Sequence, residues 1–349
     1  MKLGFGLMRL PLSEDKNIDM EHFKSMVDAF IRNGGTYFDT AYPYHNQKSE
    51  GAFKLAVADR YPRNSYTIAN KMPMFFVKEK DDLSKFFSEQ IQRCGVEYFD
   101  YYLLHCLDKD NYAMAEKTDA FQFILNKKKE GKVKKIGFSF HDNAELLDKI
   151  LTEHPETEFV QLQINYLDWE DNEIQSKLCY EVARKHKKDI IIMEPIKGGS
   201  LVNIPDNALQ KLGSLSPVDF AFNFTASLEG VIFILSGMSN DEQMSKNISL
   251  FKNLKPFDKE QFDLSLEIAQ IIRKSLEIPC TSCQYCVSVC KAKIEIPKIF
   301  QMHNKKDYTD YKALENNAAD CLKCGECEKL CPQHIEIRNI LEKIAKKFE

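Results

Sequence analysis

Ile190-Ile191-Ile192-Met193 is an apolar run with no polar interruption. A strand with one face in water alternates apolar and polar residues, whereas a continuous apolar run is typical of a parallel strand covered on both faces. Seven further short runs, rich in β-branched or aromatic residues, read as strands in the same way. The eight predicted strands are Leu3–Leu7, Thr36–Thr40, Tyr66–Lys71, Tyr101–His105, Lys135–Ser139, Phe159–Ile164, Ile190–Glu194 and Val231–Leu235.

The stretches between these strands have the apolar spacing of amphipathic helices. Between Phe23 and Ile31, for example, apolar residues recur three and four positions apart, and Asn33-Gly34-Gly35 then ends the pattern. Eight strand–helix units over about 250 residues predict an α/β fold of the (β/α)8 TIM barrel type. The main competitor is a doubly wound sheet, which normally carries GxGxxG after its first strand. Here Gly4-Phe5-Gly6 lacks the third glycine, so the barrel is favoured.

Cysteine is concentrated near the end of the chain, in two runs with gaps of two, two and three residues. The first run holds Cys280, Cys283, Cys286 and Cys290, and the second holds Cys321, Cys324, Cys327 and Cys331. This is the bacterial ferredoxin spacing for 4Fe-4S clusters, in which the fourth cysteine of a run binds the other cluster. We therefore expect one cluster on Cys280, Cys283, Cys286 and Cys331, and a second on Cys321, Cys324, Cys327 and Cys290.

Two other uses of cysteine are less consistent with these runs. Structural zinc sites usually place CxxC pairs on either side of a long gap rather than four cysteines in one run. Disulfides are disfavoured because no apolar N-terminal signal segment directs the chain to an oxidising compartment. We expect a cytoplasmic protein, with Cys94, Cys106 and Cys179 as small buried hydrophobic residues.

The barrel pattern ends before the cysteine runs. Ile278-Pro279 interrupts a helical stretch directly before Cys280. Predicted helices after the eighth strand are Asp241–Phe251, Asp258–Ser275, Ile296–His303 and Ile335–Lys347. We expect the barrel over residues 1–255, a connecting helix or linker over 256–278, and a small, mainly α-helical ferredoxin-like domain with two clusters over 279–349.

The charge balance and hydropathy exclude two classes of partner. The 48 basic and 52 acidic residues are mixed along the chain and give a formal net charge of −4. Such a balance gives no reason to expect binding to nucleic acid or to an anionic membrane surface. No stretch reaches the roughly 18 consecutive apolar residues of a membrane-spanning helix.

Polar residues occur where several of the predicted strands end. Asp39 lies at the end of the second strand, Lys71 ends the third and His105 the fourth, while Tyr44 follows the second strand in a loop. The carboxyl ends of the strands in a TIM barrel surround one shared mouth, where active sites lie. We therefore expect these four side chains to lie close together.

The segments that carry these residues resemble those of the aldo/keto reductase family. Matching segments over residues 1–255 are Phe38-Asp39-Thr40-Ala41-Tyr42-Pro43-Tyr44, Asn70-Lys71-Met72-Pro73, Leu103-Leu104-His105, Ile136-Gly137-Phe138-Ser139 and Gln161-Leu162-Gln163-Ile164. The full chain resembles the branch of the family that carries a C-terminal ferredoxin-like domain. In that branch, Glu194 to Gly199 and Ser236 to Ser239 are similar to the motifs of the seventh and eighth strands.

The resemblance implies an NAD(P)-linked oxidoreductase that acts on a small carbonyl or alcohol substrate. Tyr44 would be the acid/base, although a free tyrosine, with a pKa of about 10, is a reluctant proton donor and acceptor at neutral pH. Lys71 would favour the phenolate by its charge, and Asp39 would pair with Lys71. His105 would orient the carbonyl and donate a hydrogen bond to its oxygen.

The resemblance also implies a set of cofactor-binding residues. These are Ser139, Gln163, Met193, Gly198, Gly199, Ser236, Gly237, Gln243 and Asn247. Gly237 and Gln243 stand where NADP-preferring relatives place lysine and arginine, and a desolvated phosphate needs such cations or several donors. NADP(H), NAD(H) and a flavin in the same mouth therefore all stay open.

Two functional hypotheses follow. In the first, the protein is an iron–sulfur aldo/keto reductase whose clusters either exchange electrons with a ferredoxin-like donor or acceptor or brace the fold. In the second, the barrel is a scaffold without nicotinamide chemistry, and the protein is an electron-transfer or redox-sensing protein fed by ferredoxin or flavin. The complete set of Asp39, Tyr44, Lys71 and His105 favours the first hypothesis.

Overall fold

A closed barrel of eight parallel strands, in the order of the sequence, forms the first part of the computed structural model, which describes residues 1–348. The strands are β1 Leu3–Gly6, β2 Tyr37–Asp39, β3 Thr67–Met72, β4 Phe99–Leu107, β5 Val133–Phe140, β6 Phe159–Gln163, β7 Asp189–Met193 and β8 Val231–Gly237. The predicted TIM barrel is thus confirmed, and no strand end differs from its predicted position by more than two residues.

Fifteen α-helices accompany the strands in the described chain. They are α1 Met20–Arg32, α2 Ser49–Phe53, α3 Lys80–Cys94, α4 Lys109–Lys117, α5 Ala120–Lys129, α6 Ala144–Glu153, α7 Ser176–Lys185, α8 Asp206–Leu209, α9 Pro217–Ala226, α10 Asp241–Lys252, α11 Lys259–Ser275, α12 Tyr285–Ser288, α13 Ile296–Lys305, α14 Glu326–Lys329 and α15 Ile337–Ala345. None of the helices in residues 1–348 is long and apolar enough to cross a membrane.

Local sequence explains the limits of the first helix. The Asp19 side chain accepts a hydrogen bond of 3.0 Å from the backbone N–H of His22, which caps the N-terminus of α1. At the other end, Gly34 has a φ of +84°, a left-handed conformation that glycine adopts without strain. The apolar face between Phe23 and Phe30 is buried, as its spacing predicts.

Side chains from the strands fill the interior of the barrel. Tyr37, Ala69, Leu103, Phe159, Ile191 and Leu235 form one buried cluster, with one residue from each of six strands. The rings of Tyr37 and Phe233 stack with their centroids 4.0 Å apart. The barrel is therefore a packed core, and the only places where it can hold a ligand are its ends.

By packing, the chain divides into two compact units. The first unit, the barrel unit, comprises Met1–Pro195 and Phe222–Asp258. The second unit comprises Ile196–Ala221 and the chain from Lys259 onward. Ile196–Ala221 lies within the range 1–255 predicted for the barrel, so the second unit takes up a segment from between β7 and β8. The assignment of this segment to the second unit follows from long-range packing, and no local sequence pattern indicates it.

The second unit is helical, as predicted. After β8 every regular element of the described chain is a helix, and α13 and α15 each follow one of the cysteine runs. Their apolar faces meet in a buried cluster that includes Ile296, Phe300, Ile337, Leu341 and Ile344. This cluster is the hydrophobic core that holds the cysteine loops.

Candidate functional site

A buried ion pair lies at the carboxyl ends of β2 and β3. The Lys71 ammonium donates to the Asp39 carboxylate, with an Nζ–Oδ1 distance of 2.5 Å, and to the Thr40 carbonyl oxygen at 2.7 Å. The side chains of Lys71 and Asp39 are 0% and 3% exposed. Two contacts from consecutive residues at the end of β2 therefore fix the position of this lysine on β3. Sequence reasoning missed the contribution of Thr40, because the backbone carbonyl leaves no sequence signal.

Burial acts on both members of the pair. It lowers the pKa of Lys71, while the charge of Asp39 opposes this shift. It raises the pKa of Asp39, while the charge of Lys71 opposes that shift. Water does not reach this pair, so the charged form of each side chain is stabilised by the charge of the other.

Tyr44 and His105 complete the predicted group of four. The Lys71 Nζ lies 5.1 Å from the centroid of the Tyr44 ring. The Tyr44 and His105 rings meet edge to face, with their centroids 6.2 Å apart. The structure thus brings the four side chains together at one end of the barrel, with the Lys71 ammonium close to the Tyr44 ring.

His105 lies in a dry environment at the end of β4. Burial, followed by the charge of Lys71, holds the pKa of His105 well below its ordinary value. The Phe75 ring packs against the imidazole, with 5.4 Å between the ring centroids. The imidazole is therefore neutral near pH 7, and a neutral imidazole carries one N–H that can donate a hydrogen bond.

Ser139 and Gln163 lie at the ends of the next two strands. The Ser139 hydroxyl on β5 accepts a hydrogen bond of 2.8 Å from the backbone N–H of Cys106. The Gln163 amide on β6 donates to Asp168 at 2.8 Å, and Asn165 donates to the same carboxylate oxygen at 2.8 Å. Asp168 and Asn165 orient Gln163, and sequence reasoning missed them although an Asn followed three residues later by Asp is a recognisable turn pattern.

The last strands carry most of the remaining candidates. Met193 ends β7 and is half-buried. On β8 and α10, the Asn247 amide donates to the Ser236 hydroxyl at 2.9 Å. The Gln243 side chain accepts a hydrogen bond of 2.8 Å from the backbone N–H of Ser239. Ser236, Gln243 and Asn247 therefore belong to one corner, which begins at the end of β8 and includes the first turns of α10.

A cation from a distant part of the chain reaches this corner. β1 pairs with β8 to close the barrel, with Gly6 opposite Gly237. A Cβ atom placed on Gly237 would lie 3.0 Å from Cδ of Arg9, so the Arg9 side chain passes directly over this glycine. The cationic side chain of Arg9, which sequence reasoning missed, therefore packs its aliphatic part against Gly237.

The remaining two cofactor candidates, Gly198 and Gly199, lie in the second unit. They end a short turn at Lys197–Gly199 and have φ values of +62° and +101°. A Cβ atom on Gly198 would lie 2.0 Å from the carbonyl oxygen of Thr281, beside Cys280. Gly198 is thus packed against the first cysteine run.

The eight cysteines of the two runs line two cavities in the second unit. Cys280, Cys283, Cys286 and Cys331 line one cavity, and Cys290, Cys321, Cys324 and Cys327 line the other. These are the two sets of four that the spacing predicts, with the last cysteine of each run in the other run's cavity. Burial, followed by the neighbouring thiols Cys283, Cys280 and Cys331, raises the pKa of Cys286. A cationic iron core would relieve this repulsion, so the donor set fits an iron–sulfur cluster.

The two cysteine loops are copies of one backbone at a spacing of 41 residues. Ser282 and Lys323 have φ values of +54° and +55°, and Lys293 and His334 have values of +53° and +50°. Backbone N–H groups also point at sulfur, since Ser282 donates to Cys280 Sγ at 3.4 Å. Left-handed turns of this kind wrap the backbone around a bound group, and backbone N–H donors stabilise cysteine thiolates.

Two family models together match most of the chain. The model of the aldo/keto reductase family matches residues 2–270, and that of the 4Fe-4S dicluster domain matches residues 279–336. Among curated proteins, the chain is similar to the acetyl-CoA decarbonylase/synthase complex subunit alpha 1 of Methanosarcina acetivorans, with 31% identity over 68 residues. The matching part is 20% of this chain, and the chain spans only 8% of the length of that relative.

Solved structures share the fold at low identity. An aldo-keto reductase from Bacillus halodurans, in its holo form, has a TM-score of 0.62 and 19% identity, over 76% of this chain and 91% of that one. An aldo-keto reductase from Klebsiella pneumoniae in complex with NADPH has a TM-score of 0.61 and 16% identity, over 78% of this chain and 90% of that one. These similarities concern the barrel fold.

Proposed function

We propose that this chain, which belongs to the aldo/keto reductase family, transfers hydride between a nicotinamide cofactor and a small carbonyl or alcohol substrate. It is an iron–sulfur aldo/keto reductase-like oxidoreductase, with a 4Fe-4S dicluster domain at residues 279–336. The observation that carries the proposal is the buried Lys71 ammonium, which Asp39 holds 5.1 Å from the centroid of the Tyr44 ring.

In this proposal Tyr44 moves the proton. A bound nicotinamide would supply the hydride for the carbonyl carbon, or would accept it in the reverse direction. In the reductive direction the Tyr44 hydroxyl gives its proton to the carbonyl oxygen, and the product is an alcohol. Lys71 stabilises the phenolate that remains until a proton from water replaces the lost one.

His105 orients the substrate and does not exchange the proton. Its neutral imidazole can donate a hydrogen bond to the carbonyl oxygen while negative charge develops there. A buried imidazole with a lowered pKa does not protonate in competition with Tyr44 near neutral pH. We therefore assign proton transfer to Tyr44 and orientation of the substrate to His105.

The cofactor would be held along the strand ends from β5 to β8. Ser139 and Gln163 are proposed for the carboxamide of the ring, with Met193 beside its face. The corner of Ser236, Gly237, Gln243 and Asn247 is proposed for the adenosine half, and the N-terminus of α10 there favours an anion. Gly198 and Gly199 remain candidates by resemblance alone.

Arg9 supports NADP(H) rather than NAD(H) or a flavin. Its side chain passes over Gly237, where relatives that prefer NADP carry a cation. An arginine can pair with a phosphate through two parallel hydrogen bonds. The Klebsiella pneumoniae relative with this fold was solved with NADPH, which agrees with the same choice.

The cysteines of the second unit would hold two 4Fe-4S clusters, one in each cavity. Each cluster supplies one-electron chemistry, so the two together hold as many electrons as one hydride. We propose a ferredoxin-like donor or acceptor as their partner. The reducing cytoplasm, which the sequence predicts, would keep the cysteine ligands available as thiolates.

The test uses protein prepared anaerobically and analysed for iron and sulfide. A panel of aldehydes and ketones is screened with NADPH and with NADH, followed by Tyr44→Phe and a matched control, Tyr42→Phe. The Tyr42 hydroxyl donates to Glu89 at 3.3 Å, and its removal should preserve turnover. Tyr44→Phe should lower kcat by two orders of magnitude or more, about the contribution of general acid catalysis.

Near-normal turnover in Tyr44→Phe would contradict the role of Tyr44. A panel without any carbonyl reduction by the wild type would favour the second hypothesis, an electron-transfer or redox-sensing protein on a barrel scaffold. The buried Asp39–Lys71 pair argues against that hypothesis, because a buried ion pair is costly to keep where it has no chemical use.

A further inference from the structure

The two cysteine loops of the second unit share a backbone but differ in how they are covered. Thr281 and Leu322 occupy equivalent positions, one residue after the first cysteine of each run. Thr281 is 2% exposed, whereas Leu322 is 66% exposed, the largest value among the exposed large hydrophobic residues of the described chain. Similarly, Cys283 is partly buried and its equivalent, Cys324, is exposed.

The first loop is covered by the segment Ile196–Ala221. Gly198 packs on the carbonyl of Thr281 at a distance that leaves no room for a Cβ atom. Beside it, the buried Lys197 ammonium donates to the Gln333 side chain at 3.2 Å. Gln333 lines the first cavity, directly after Cys331-Pro332. The cover of the first cavity is therefore built from close contacts.

The second loop has no equivalent cover in the described part of the chain. Leu322, Lys323 and Cys324 are three consecutive exposed residues on the wall of the second cavity. Leu322 is thus an exposed apolar side chain directly after a cysteine of the second set, and burying it would be favourable. A partner protein could bury it.

The charged residues that line the second cavity are all basic. The cavity wall carries Lys291, Lys323 and Arg338, and none of its described lining residues is acidic. Lys323 is 3.1 Å from Glu342, and Arg338 is 2.7 Å from Glu328, so these two charges are partly compensated from outside the wall. Lys291 is exposed. The opening is thus an apolar centre with a basic rim, which complements an acidic surface.

We propose that Lys291, Leu322, Lys323 and Cys324 form an exchange surface, where a small acidic one-electron carrier protein docks and reaches the second cluster. The inference rests on the proposed function in one respect, the presence of a cluster on Cys290, Cys321, Cys324 and Cys327. One electron leaves the reduced carrier and enters the cluster, and no proton or covalent bond is transferred. A small contact area suits such an encounter, since transient redox complexes lie at the low end of interface sizes.

Rapid mixing under anaerobic conditions tests the exchange surface. The probe is a reduced bacterial ferredoxin with an acidic surface, and the readout is the bimolecular rate of cluster bleaching. We expect this rate to fall with added salt, and to fall about tenfold or more in Leu322→Asp and in Lys291→Glu, since charge repulsion acts on association. The matched control is Leu209→Asp, because Leu209 lies in the same unit and is 44% exposed.

Reduction by dithionite, which needs no docking surface, should be unchanged in all variants. Wild-type rates with ferredoxin in both variants, or an equal decrease in the Leu209→Asp control, would overturn the inference. If Leu322→Asp loses iron or sulfide, the rate measured with Lys291→Glu tests the exchange surface alone, because the Lys291 side chain is exposed and is not a cluster ligand. Carbonyl reduction with NAD(P)H in the same samples tests the barrel separately, so failure of the proposed function and failure of the exchange surface are distinguishable.

Discussion

Lys71 Nζ lies 2.5 Å from Asp39 Oδ1 at the carboxyl ends of two neighbouring strands, and water reaches neither side chain. A buried ammonium with a carboxylate at hydrogen-bond distance keeps a fixed position and a fixed charge. The pair therefore presents one positive charge to Tyr44 without the rearrangement that an exposed lysine would need.

Replacing Asp39 should affect both stability and turnover. Asp39→Asn leaves the Lys71 ammonium buried without its counter-charge, and such a change typically costs about 3 kcal/mol or more. We expect a lower melting temperature by circular dichroism and a lower kcat. Asp28→Asn is the control, because the Asp28–Arg60 pair is partly exposed and should contribute no more than about 1 kcal/mol. Equal losses in the two variants would contradict the special role of the buried pair.

The lowered pKa of His105 predicts a loss of stability in acid. Below the ordinary histidine pKa of about 6.5, the unfolded chain binds a proton that the folded chain excludes, so folding becomes less favourable as pH falls. This effect ends only when pH drops below the lowered pKa of the folded state. Between pH 7.5 and 5.5, the melting temperature of the wild type should fall more than that of His105→Asn. If the melting temperatures of the two proteins fall by the same amount over this pH range, the folded state does not resist protonation of His105.

Arg9 should discriminate between the two nicotinamide cofactors. Arg9→Met removes the cation that passes over Gly237, and we expect KM for NADPH to rise about tenfold or more, with KM for NADH nearly unchanged. The measurement is steady-state kinetics with each cofactor, supported by direct titration of NADPH. Arg32→Met, at the exposed end of α1, should change neither value. A proportional rise for both cofactors would point to a general structural role.

Gly198 provides a test of the cover over the first cavity. Gly198→Ala places a methyl group 2.0 Å from the Thr281 carbonyl oxygen at a φ of +62°, so the segment must move. We expect the iron of one cluster to be lost faster to a chelator, measured by absorbance. Gly131→Ala is the control, because Gly131 also has a left-handed backbone, with a φ of +73°, and no atom lies within 4 Å of the new methyl group. Similar rates for the two variants would show that the contact at Thr281 does not protect the cluster.

Much of the fold could be predicted from local patterns. The run Ile190–Met193 and its seven counterparts have the composition of buried parallel strands, and Asp39, Lys71 and His105 stand where those strands end. Strand ends in a barrel converge, so three positions far apart in sequence could be placed together without coordinates. The gaps of two, two and three residues between the cysteines likewise predicted the two sets of four.

The parts that could not be predicted depend on long-range packing. Arg9 comes close to Gly237 only because β1 pairs with β8, and nothing near either residue indicates this contact. The association of Ile196–Ala221 with the second unit likewise has no local signal. Asp168 is a third case, since its role is to orient Gln163 and its type alone predicts only a turn.

Because Ile196–Ala221 packs with the chain from Lys259 onward, the second unit is discontinuous in sequence. Removing every residue after Asp258 would keep all eight strands of the barrel but would cut the second unit in two. It would leave the segment between β7 and β8, which includes the fully buried Leu201, without the rest of its unit. No single cut in the chain can therefore separate the second unit from the barrel unit.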